Sequence, residues 1–228
     1  MRQLVLDLPV QPSFGPDDFL VSPSNEAAYG LLERWPDWPQ PFLHLRGPAG
    51  SGKSHLSSIW AERSGAARAQ ARAVTGETAA ALAAAPALVL EDLDEGPLAE
   101  DALFHLVNIA RERGSAVLFT STDALDRSGI ATPDLLSRLR LAPTVEIDAP
   151  DDALLKAVLV KLFVDRQLAV DTSVIDYVAS RIERSLARAA EVVAALDREA
   201  LSRGRRVTRP IAAALIADAA VEDSATEP

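Results

Sequence analysis

A glycine-rich segment at residues 47–54 carries the clearest chemical pattern in this sequence. It reads GPAGSGKS and fits the spacing G-x-x-x-x-G-K-[S/T] in full. Glycines allow successive backbone N–H groups to point into one concavity that holds phosphate oxygens. A lysine at position 53 can reach the β- and γ-phosphates of a nucleotide, and a hydroxyl at position 54 can ligate Mg²⁺. The residues of this predicted phosphate site are Gly47, Pro48, Ala49, Gly50, Ser51, Gly52, Lys53 and Ser54.

Two carboxylates follow an apolar segment downstream, where the chain reads LVLED over residues 88–92. An apolar strand that ends in carboxylates is what a phosphate-loop enzyme uses to hold Mg²⁺ and to orient the attacking water. We therefore expect Glu91, Asp92 and Ser54 to hold the metal ion and Asp92 to act in catalysis. The usual first carboxylate is Asp, so the division of roles between Glu91 and Asp92 stays open. Asp94 is interpreted as a solvated turn residue.

The elements that must position these residues alternate between helix and strand. Helices are predicted for 25–34, 54–63, 75 to just before Pro86, 98–113 and 133–140, and strands for 41–45, 69–74, 87–90, 116–120 and 144–147. Such alternation implies parallel strands joined by right-handed helical crossovers. The expected fold is an α/β phosphate-loop domain with a five-stranded parallel sheet.

The pattern becomes purely helical after Pro150. Helices are predicted for 151–167, 171–184, 185–203 and 209–220, with Asp151 as the cap of the first. We therefore expect an extended arm at 1–12, a nucleotide-binding domain at 13–150, a small helical lid domain at 151–221 and a flexible tail at 222–228.

Composition and charge exclude several classes of function. Acidic residues outnumber basic ones by 33 to 23, for a net charge of −10, so strong direct binding of DNA by this chain alone is not expected. The chain has no cysteine, which excludes disulfides and thiolate metal sites. No signal peptide and no apolar run of membrane-spanning length is seen. The predicted location is the cytoplasm.

The order of these motifs resembles the AAA+ ATPases, and within them the DnaA subgroup of bacterial replication initiators. Residues 14–25 (FGPDDFLVSPSN) resemble the stretch that encloses the adenine in that subgroup, and residues 47–56 resemble its phosphate loop. The resemblance implies that ADP or ATP is bound, with Mg²⁺. It also assigns four residues outside the phosphate loop to the nucleotide: Phe19, Leu20, Val21 and His55.

Three further segments carry the resemblance to the DnaA subgroup. Residues 119–122 (FTST) match the sensor 1 segment beside the γ-phosphate, which makes Ser121 a catalytic candidate. Residues 136–139 (LSRL) resemble the box that carries the arginine finger, which implies that role for Arg138, with Arg140 as a nearby competitor. Residues 184–188 fall where the lid supplies sensor 2, which implies that Arg188 contacts the nucleotide.

The two ends of the chain favour one family within this subgroup. The sequence stops soon after the predicted lid, so no helix-turn-helix DNA-binding domain is expected. Residues 3–9 (QLVLDLP) resemble the short peptide that binds the sliding clamp of DNA polymerase III, its beta subunit. The clamp-binding residues would be Gln3, Leu4, Leu6, Leu8 and Pro9. This combination resembles the Hda family, the regulatory inactivators of DnaA.

The resemblance implies a negative regulator of replication initiation with DnaA and the sliding clamp as partners. Arg138 would stimulate ATP hydrolysis by DnaA in trans, and intrinsic hydrolysis would be weak, which leaves open whether the chain is itself an enzyme. Self-association into a homo-oligomer also stays open. The alternatives are a DNA-handling ATPase, such as a helicase loader or an orphan initiator, and an autonomous small-molecule kinase. A basic cluster at Arg203, Arg205, Arg206 and Arg209 could meet DNA or a partner.

Overall fold

The computed structural model of the chain describes residues 18–203 and 206–226. The predictions for residues 3–9, 14–17 and 204–205 lie outside these residues. The chain divides into two compact units, which in the described part are residues 18–148 and residues 149–226. Each unit has a hydrophobic core of its own.

One parallel sheet forms the centre of the first unit. Its strands are β1 Phe42–Arg46, β2 Ala67–Gln70, β3 Ala87–Glu91, β4 Ala116–Ser121 and β5 Thr144–Glu146. Their spatial order is β2-β3-β4-β1-β5, and every neighbouring pair is parallel. The predicted five-stranded parallel sheet is thus confirmed. This order brings the carboxyl ends of β3, β4 and β1 side by side, which is the edge where ligands bind in open α/β sheets.

Helices in the first unit connect the strands and cover the sheet. They are α1 Glu26–Glu33, α2 Lys53–Ser64, α3 Gly76–Ala83, α4 Glu100–Arg113 and α5 Pro133–Leu139. Local sequence sets their ends: Gly65 and Gly114 end α2 and α4 in the left-handed conformation, and Thr75 caps α3 in a capping box with Thr78. Short 3-10 turns lie at Ala71–Ala73 and Leu125–Arg127.

The sheet is buried on both faces by two separate apolar clusters. One cluster packs α3, α4 and α5 against residues such as Leu88, Leu90 and Phe119. The other packs α1 and α2 against the opposite side chains, among them Leu45 and Val89. Because successive side chains of a strand point to opposite faces, the near-continuous apolar runs of β1, β3 and β4 fit a sheet with two covered faces.

The second unit is a bundle of four helices within the described residues. They are α6 Asp152–Asp165, α7 Thr172–Ala179, α8 Leu186–Arg203 and α9 Arg209–Thr226. The side chains of Asp151 and Asp171 accept hydrogen bonds from the backbone N–H groups of Leu154 and Ser173, which fixes the starts of α6 and α7. No helix in the described part of the chain is long and apolar enough to cross a membrane.

Three boundaries differ from the sequence-based expectation by four residues or more. β2 ends at Gln70, because the next three residues turn into a 3-10 helix instead of extending the strand to position 74. α7 ends at Ala179 and not at position 184, and the side chain of Ser185 caps the following helix by accepting from the N–H of Arg188 at 3.2 Å. α9 continues to Thr226, so residues 222–226, expected in a flexible tail, are helical. No glycine or proline interrupts 211–226.

Candidate functional site

The phosphate loop runs from β1 directly into α2. Gly50 and Gly52 have φ values of 70° and 106°, a region that favours glycine, and Gly52 immediately precedes the helix. No acidic residue occupies the first turn of α2. The N–H groups and the positive dipole end of α2 are therefore available to an anion at this point.

Gly47, the first residue of the loop, packs tightly against the segment that follows β5. A Cβ placed on Gly47 would lie 2.4 Å from the carbonyl oxygen of Ile147 and 3.2 Å from its Cβ. Its backbone N–H also donates to the carbonyl of Ser121, at 3.2 Å. Glycine at position 47 is thus required by packing between neighbouring strands.

Lys53 folds back onto the loop that precedes it. Its Nζ donates hydrogen bonds to the carbonyl oxygens of Gly47 at 2.6 Å and Pro48 at 3.1 Å, and the residue is only 7% exposed. Burial lowers the pKa of Lys53, while the negative charges of Asp92, Asp94 and Glu95 oppose that shift. The ammonium group therefore sits at the loop beside acidic residues, where phosphate oxygens could replace the carbonyl partners.

Ser51 supplies an observation that fits a phosphate ligand. Its hydroxyl is buried and has no hydrogen-bond partner in the described structure. Buried hydroxyls are nearly always satisfied, so this group in the middle of the loop is suited to a ligand oxygen. Ser54, at the first turn of α2, is exposed. The loop residues thus fit the phosphates of a nucleotide.

The predicted adenine segment lies against the helix that begins at the phosphate loop. The ring of Phe19 stacks on Tyr29 with 5.6 Å between centroids and meets His55 edge-on at 5.3 Å. Leu20 is half-buried and its carbonyl accepts from the side chain of buried Asn25 at 3.0 Å, while Val21 is 49% exposed. Phe19 and His55, two of the four predicted nucleotide contacts outside the loop, are therefore in direct contact.

Glu91 is engaged differently from the expectation that it holds a metal ion. Its Oε1 lies 3.0 Å from the hydroxyl of Ser57, and a guanidinium nitrogen of Arg68 lies 3.1 Å from each of its two oxygens. The side chain of Glu91 is only 9% exposed. Among the described residues, no group of three or more His, Cys, Asp or Glu side chains could hold a metal ion. Both oxygens of the Glu91 carboxylate are thus already occupied by protein partners in this structure.

Asp92 and Asp94 both join the loop after β3 to β4. The N–H of Asp92, which has a φ of 59°, donates to the hydroxyl of Thr120 at 3.0 Å. One oxygen of Asp94 accepts from the N–H groups of Thr122 at 2.7 Å and Asp123 at 2.9 Å. Asp94 was expected to be a solvated turn residue. The structure corrects this, because its half-buried carboxylate fixes the backbone of the predicted sensor 1 segment.

Ser121 ends β4 and is joined to a histidine that the sequence did not single out. The hydroxyl of Ser121 donates to the carbonyl of Asp123 at 2.6 Å and lies 2.7 Å from Nε2 of His44. Because that hydroxyl has only one proton, Nε2 carries the proton between the two side chains. Nδ1 of His44 then accepts from the hydroxyl of Thr144, at 3.1 Å. His44 is thus a neutral link across β5, β1 and β4.

The pKa of His44 agrees with this neutral link. Burial, with a smaller contribution from the positive charge of Arg46, lowers the pKa of His44 from 6.5 to about 4, against the opposing charge of Asp94. Phe119 stacks on the imidazole ring at 5.0 Å. The histidine is therefore uncharged at neutral pH and acts by positioning Ser121.

Arg138 and Arg140, the two candidates for an arginine finger, have different surroundings. Arg140 forms an ion pair with Asp126, to which its Nε donates at 2.7 Å. Arg138 is half-buried, and its guanidinium carbon lies 4.9 Å from the centroid of the Phe104 ring. Within residues 18–203 and 206–226, no carboxylate forms a salt bridge with Arg138. Arg138 therefore makes a cation–π contact with Phe104 and no ion pair among these residues.

Arg188, the sensor 2 candidate, lies in the first turn of α8. Its guanidinium pairs with Glu191 at 3.1 Å, and its side chain is 29% exposed. The arginine thus interacts within its own helix in this structure.

Three residues of this site were missed by the sequence analysis, His44, Arg68 and Phe104, and a fourth, Asp94, was misassigned. Each acts on a predicted site residue from a different element. A weak signal existed for two of them, because a histidine within an apolar strand and an aspartate two residues after the paired carboxylates are both unusual. Arg68 and Phe104 carry no such local signal.

The comparison with protein families matches the second unit. Residues 152–215 match the family described as the lid domain of Hda. This range covers α6, α7, α8 and the first part of α9. No curated protein sequence matches the chain significantly.

Solved structures match nearly the whole chain. Domain III of the replication initiation protein DnaA from Thermotoga maritima is 18% identical, with a TM-score of 0.77 over 92% of this chain and 98% of that chain. AMPPCP-bound DnaA from Aquifex aeolicus is also 18% identical, with a TM-score of 0.65 over 79% of this chain and 63% of that chain. The RuvB Holliday junction branch migration motor of Thermotoga maritima is 16% identical, with a TM-score of 0.63 over 83% and 64%.

These identities show a shared fold, and the family match adds the type of lid. Residues 152–215 thus match the lid domain of the Hda family, and the chain as a whole shares its fold with the DnaA and RuvB structures.

Proposed function

We propose that this chain is a cytoplasmic negative regulator of replication initiation that stimulates ATP hydrolysis by DnaA in trans. The match to an Hda lid and the DnaA-like fold support a role in the DnaA system. In this proposal the catalytic contribution is one positive charge, supplied by Arg138 to a nucleotide that DnaA holds.

The observation that carries the proposal is the surroundings of Arg138. Its guanidinium rests on the Phe104 ring, half-exposed, with no salt bridge among the described residues. Phosphoryl transfer is governed by positioning and by electrostatic stabilisation of the transferred group, so one added cation can determine the rate. An arginine that has no carboxylate partner can approach a phosphate without first breaking an ion pair.

Arg140 suits this role less well. Its ion pair with Asp126 would have to break before the guanidinium could reach another nucleotide. Both arginines lie at the end of α5 and both are accessible, so the pair offers a matched test of the proposal.

The phosphate loop of this chain would bind ADP or ATP for itself. The Lys53 ammonium at the loop, the unpartnered hydroxyl of Ser51 and the contact between Phe19 and His55 support this part of the proposal. Two of the solved relatives with this fold are described as bound to AMPPCP. A contribution of Arg188 to the same nucleotide, as sensor 2, is part of the proposal. This site would act mainly as a switch, with weak hydrolysis of its own.

The clamp-binding part of the proposal rests on sequence alone. Gln3, Leu4, Leu6, Leu8 and Pro9 lie outside the described residues and keep the role that the resemblance implies. An extended peptide presents alternate side chains to one surface, which suits docking of the leucines in an apolar pocket. Tethering to the sliding clamp of DNA polymerase III would raise the effective concentration of the chain near replicating DNA.

The test combines this chain with clamp loaded on DNA and with ATP-bound DnaA, and follows phosphate release. We expect the chain to accelerate release, Arg138→Ala to abolish the acceleration, and the matched control Arg140→Ala to retain it. A Gln3→Ala, Leu4→Ala double variant should also lose the acceleration in this mixture, because it would no longer bind the clamp. Equal stimulation by the natural chain and by Arg138→Ala would refute the mechanism.

A second candidate, a DNA-handling ATPase, is favoured by one feature of the lid. The guanidinium carbons of Arg181 and Arg209 lie 5.6 and 5.2 Å from the centroid of the Tyr177 ring, and both arginines are exposed. Arginines and an aromatic ring are common in single-strand nucleic acid sites. Fluorescence anisotropy with a labelled single strand distinguishes the two functions, since tight, salt-sensitive binding by the isolated chain would favour this candidate.

A further inference from the structure

We infer that Arg68 and Ser57 hold the carboxylate of Glu91, which this phosphate site would otherwise offer to a divalent cation, so that the site binds its nucleotide without requiring Mg²⁺. The inference rests on the proposed nucleotide binding and specifies the ionic form of the ligand. It concerns the retention of ADP and is independent of any effect on DnaA.

The position of the ion pair follows from the pairing of two strands. Gln70 of β2 is the register partner of Glu91 of β3, and Arg68 precedes Gln70 by two residues. Side chains two residues apart on a strand point to the same face, so Arg68 and Glu91 lie diagonally across one face of the sheet. The guanidinium nitrogen then reaches both carboxylate oxygens at 3.1 Å.

Ser57 closes the other side of the carboxylate. Its hydroxyl is fully buried on α2, 3.0 Å from Oε1 of Glu91 and 3.1 Å from the carbonyl of Ser54. The single proton of this hydroxyl is shared between the two acceptors, and its donation to Glu91 links the carboxylate to α2. With three contacts from two neighbours and little exposure, Glu91 has few directions left from which a ligand could approach.

A divalent cation would meet two obstacles at Glu91. Mg²⁺ requires near-octahedral oxygen ligands at about 2.0–2.1 Å, which would displace Arg68 or Ser57 from the carboxylate. It would also add two positive charges beside a guanidinium that is already paired there, and like charges at this range repel. Arg68 itself therefore supplies the positive charge that balances Glu91.

Two of the predicted metal ligands remain, Asp92 and Ser54. Asp92 acts through its charge on Lys53 and is held by the backbone bond to Thr120. Ser54 contributes one exposed hydroxyl. A cation that entered with the nucleotide would thus be held chiefly by phosphate oxygens and water, and its removal should cost the protein little affinity.

The experiment measures the affinity for ADP by isothermal titration calorimetry in excess Mg²⁺ and in excess EDTA. For the natural chain we expect the two dissociation constants to differ by less than about threefold. Arg68→Gln frees Glu91, so its affinity should depend on Mg²⁺ by about tenfold or more. Arg68→Lys, which keeps the charge, should restore independence from Mg²⁺.

Arg72→Gln is the matched control. Arg72 is exposed in the 3-10 turn that follows β2, and its substitution should leave both dissociation constants unchanged. Thermal unfolding of each variant shows whether it folds. If Arg68→Gln does not fold, the Mg²⁺ dependence of ADP binding by the natural chain and by Arg68→Lys still tests the inference. Both proteins are expected to bind ADP equally in the two media.

The outcomes separate this inference from the proposed function. A natural chain that binds ADP tightly only with Mg²⁺ refutes the inference and leaves nucleotide binding intact. A natural chain that binds no ADP in either medium refutes the nucleotide site and the inference with it. The inference is supported if the natural chain binds ADP equally in both media and Arg68→Gln binds ADP more weakly in EDTA than in Mg²⁺.

Discussion

The imidazole of His44 and the hydroxyl of Ser121 are joined by a 2.7 Å hydrogen bond between two adjacent strands, with the proton on Nε2. On the other side of the ring the hydroxyl of Thr144 donates to Nδ1, which requires that Nδ1 carries no proton. Ser121 is the residue for which the sensor role was predicted. A buried, uncharged histidine therefore links this residue to Thr144 of β5.

We expect the stability of the first unit to fall between pH 6.5 and pH 4 because of His44. Burial lowers its pKa from 6.5 to about 4 in the folded state, so the unfolded chain binds the proton first as the pH falls. The stability is complete above the unfolded pKa and is lost as the pH drops toward the folded one, by about 3 kcal/mol. Urea unfolding at a series of pH values measures the change.

His44→Gln should flatten this part of the pH profile, because glutamine has no titrating group. His105→Gln is the control, since His105 is exposed on α4 and has no such role. Carboxylates also titrate in this pH range. The contribution of His44 is therefore measured as the difference between the pH profiles of the natural chain and the variant. Parallel profiles for the natural chain and His44→Gln would contradict the assignment.

Lys53→Ala should weaken the binding of ADP by about ten- to hundredfold, because a charged partner of the phosphates is removed. Calorimetric titration measures the loss. Arg63→Ala is a suitable control: Arg63 lies on the same helix, but its partner is Glu33 and not the phosphate loop. Unchanged ADP affinity in Lys53→Ala would show that the loop does not hold phosphates.

Gly47→Ala should destabilise the first unit by about 1–3 kcal/mol, since the new methyl group would overlap the carbonyl oxygen of Ile147. Gly30→Ala is the opposite case. It lies within α1 with no atom within 4 Å of its Cβ position, and alanine should stabilise the helix by about 0.5–1 kcal/mol. Chemical denaturation of both variants tests the prediction, and a Gly47→Ala variant as stable as the natural chain would count against it.

Phe104→Leu should reduce the stimulation of DnaA several-fold while leaving ADP affinity unchanged. The ring lies 4.9 Å from the guanidinium of Arg138, a contact worth about 0.5–2 kcal/mol. Phe104→Tyr keeps the ring face and should retain stimulation. Phosphate release from DnaA and the unfolding temperature are measured for each variant. If stimulation falls in both variants only in proportion to the fall in unfolding temperature, Phe104 has no positioning role.

The phosphate loop and the sheet could be predicted because their signals are local. The pattern of residues 47–54 needs only neighbours in sequence, and apolar runs between helical segments indicate a parallel sheet. The same reasoning placed Glu91 and Asp92 correctly at the end of β3. Helix ends were predictable where a residue such as Asp151 or Gly114 enforces them.

The engagement of Glu91 could not be predicted, because it depends on the register of β2 against β3 and on Ser57 from a helix. The interaction of His44 with Ser121 joins residues 77 positions apart. Asp94 was misassigned for a related reason, since its partners at Thr122 and Asp123 follow a different strand. Local sequence indicates which residues lie at the edge of the sheet, and only the packed structure shows which partner each one takes.

The two outer strands of the sheet are its shortest, with four residues in β2 and three in β5. An edge strand this short has few unpaired backbone N–H and C=O groups, so a strand from another polypeptide would form few hydrogen bonds with it. Binding of a partner by strand addition is therefore disfavoured, and so is edge-to-edge aggregation, which longer edge strands favour. Within the described residues, side chains on helices and loops, such as Arg138 at the end of α5, are then the more suitable contacts for a partner.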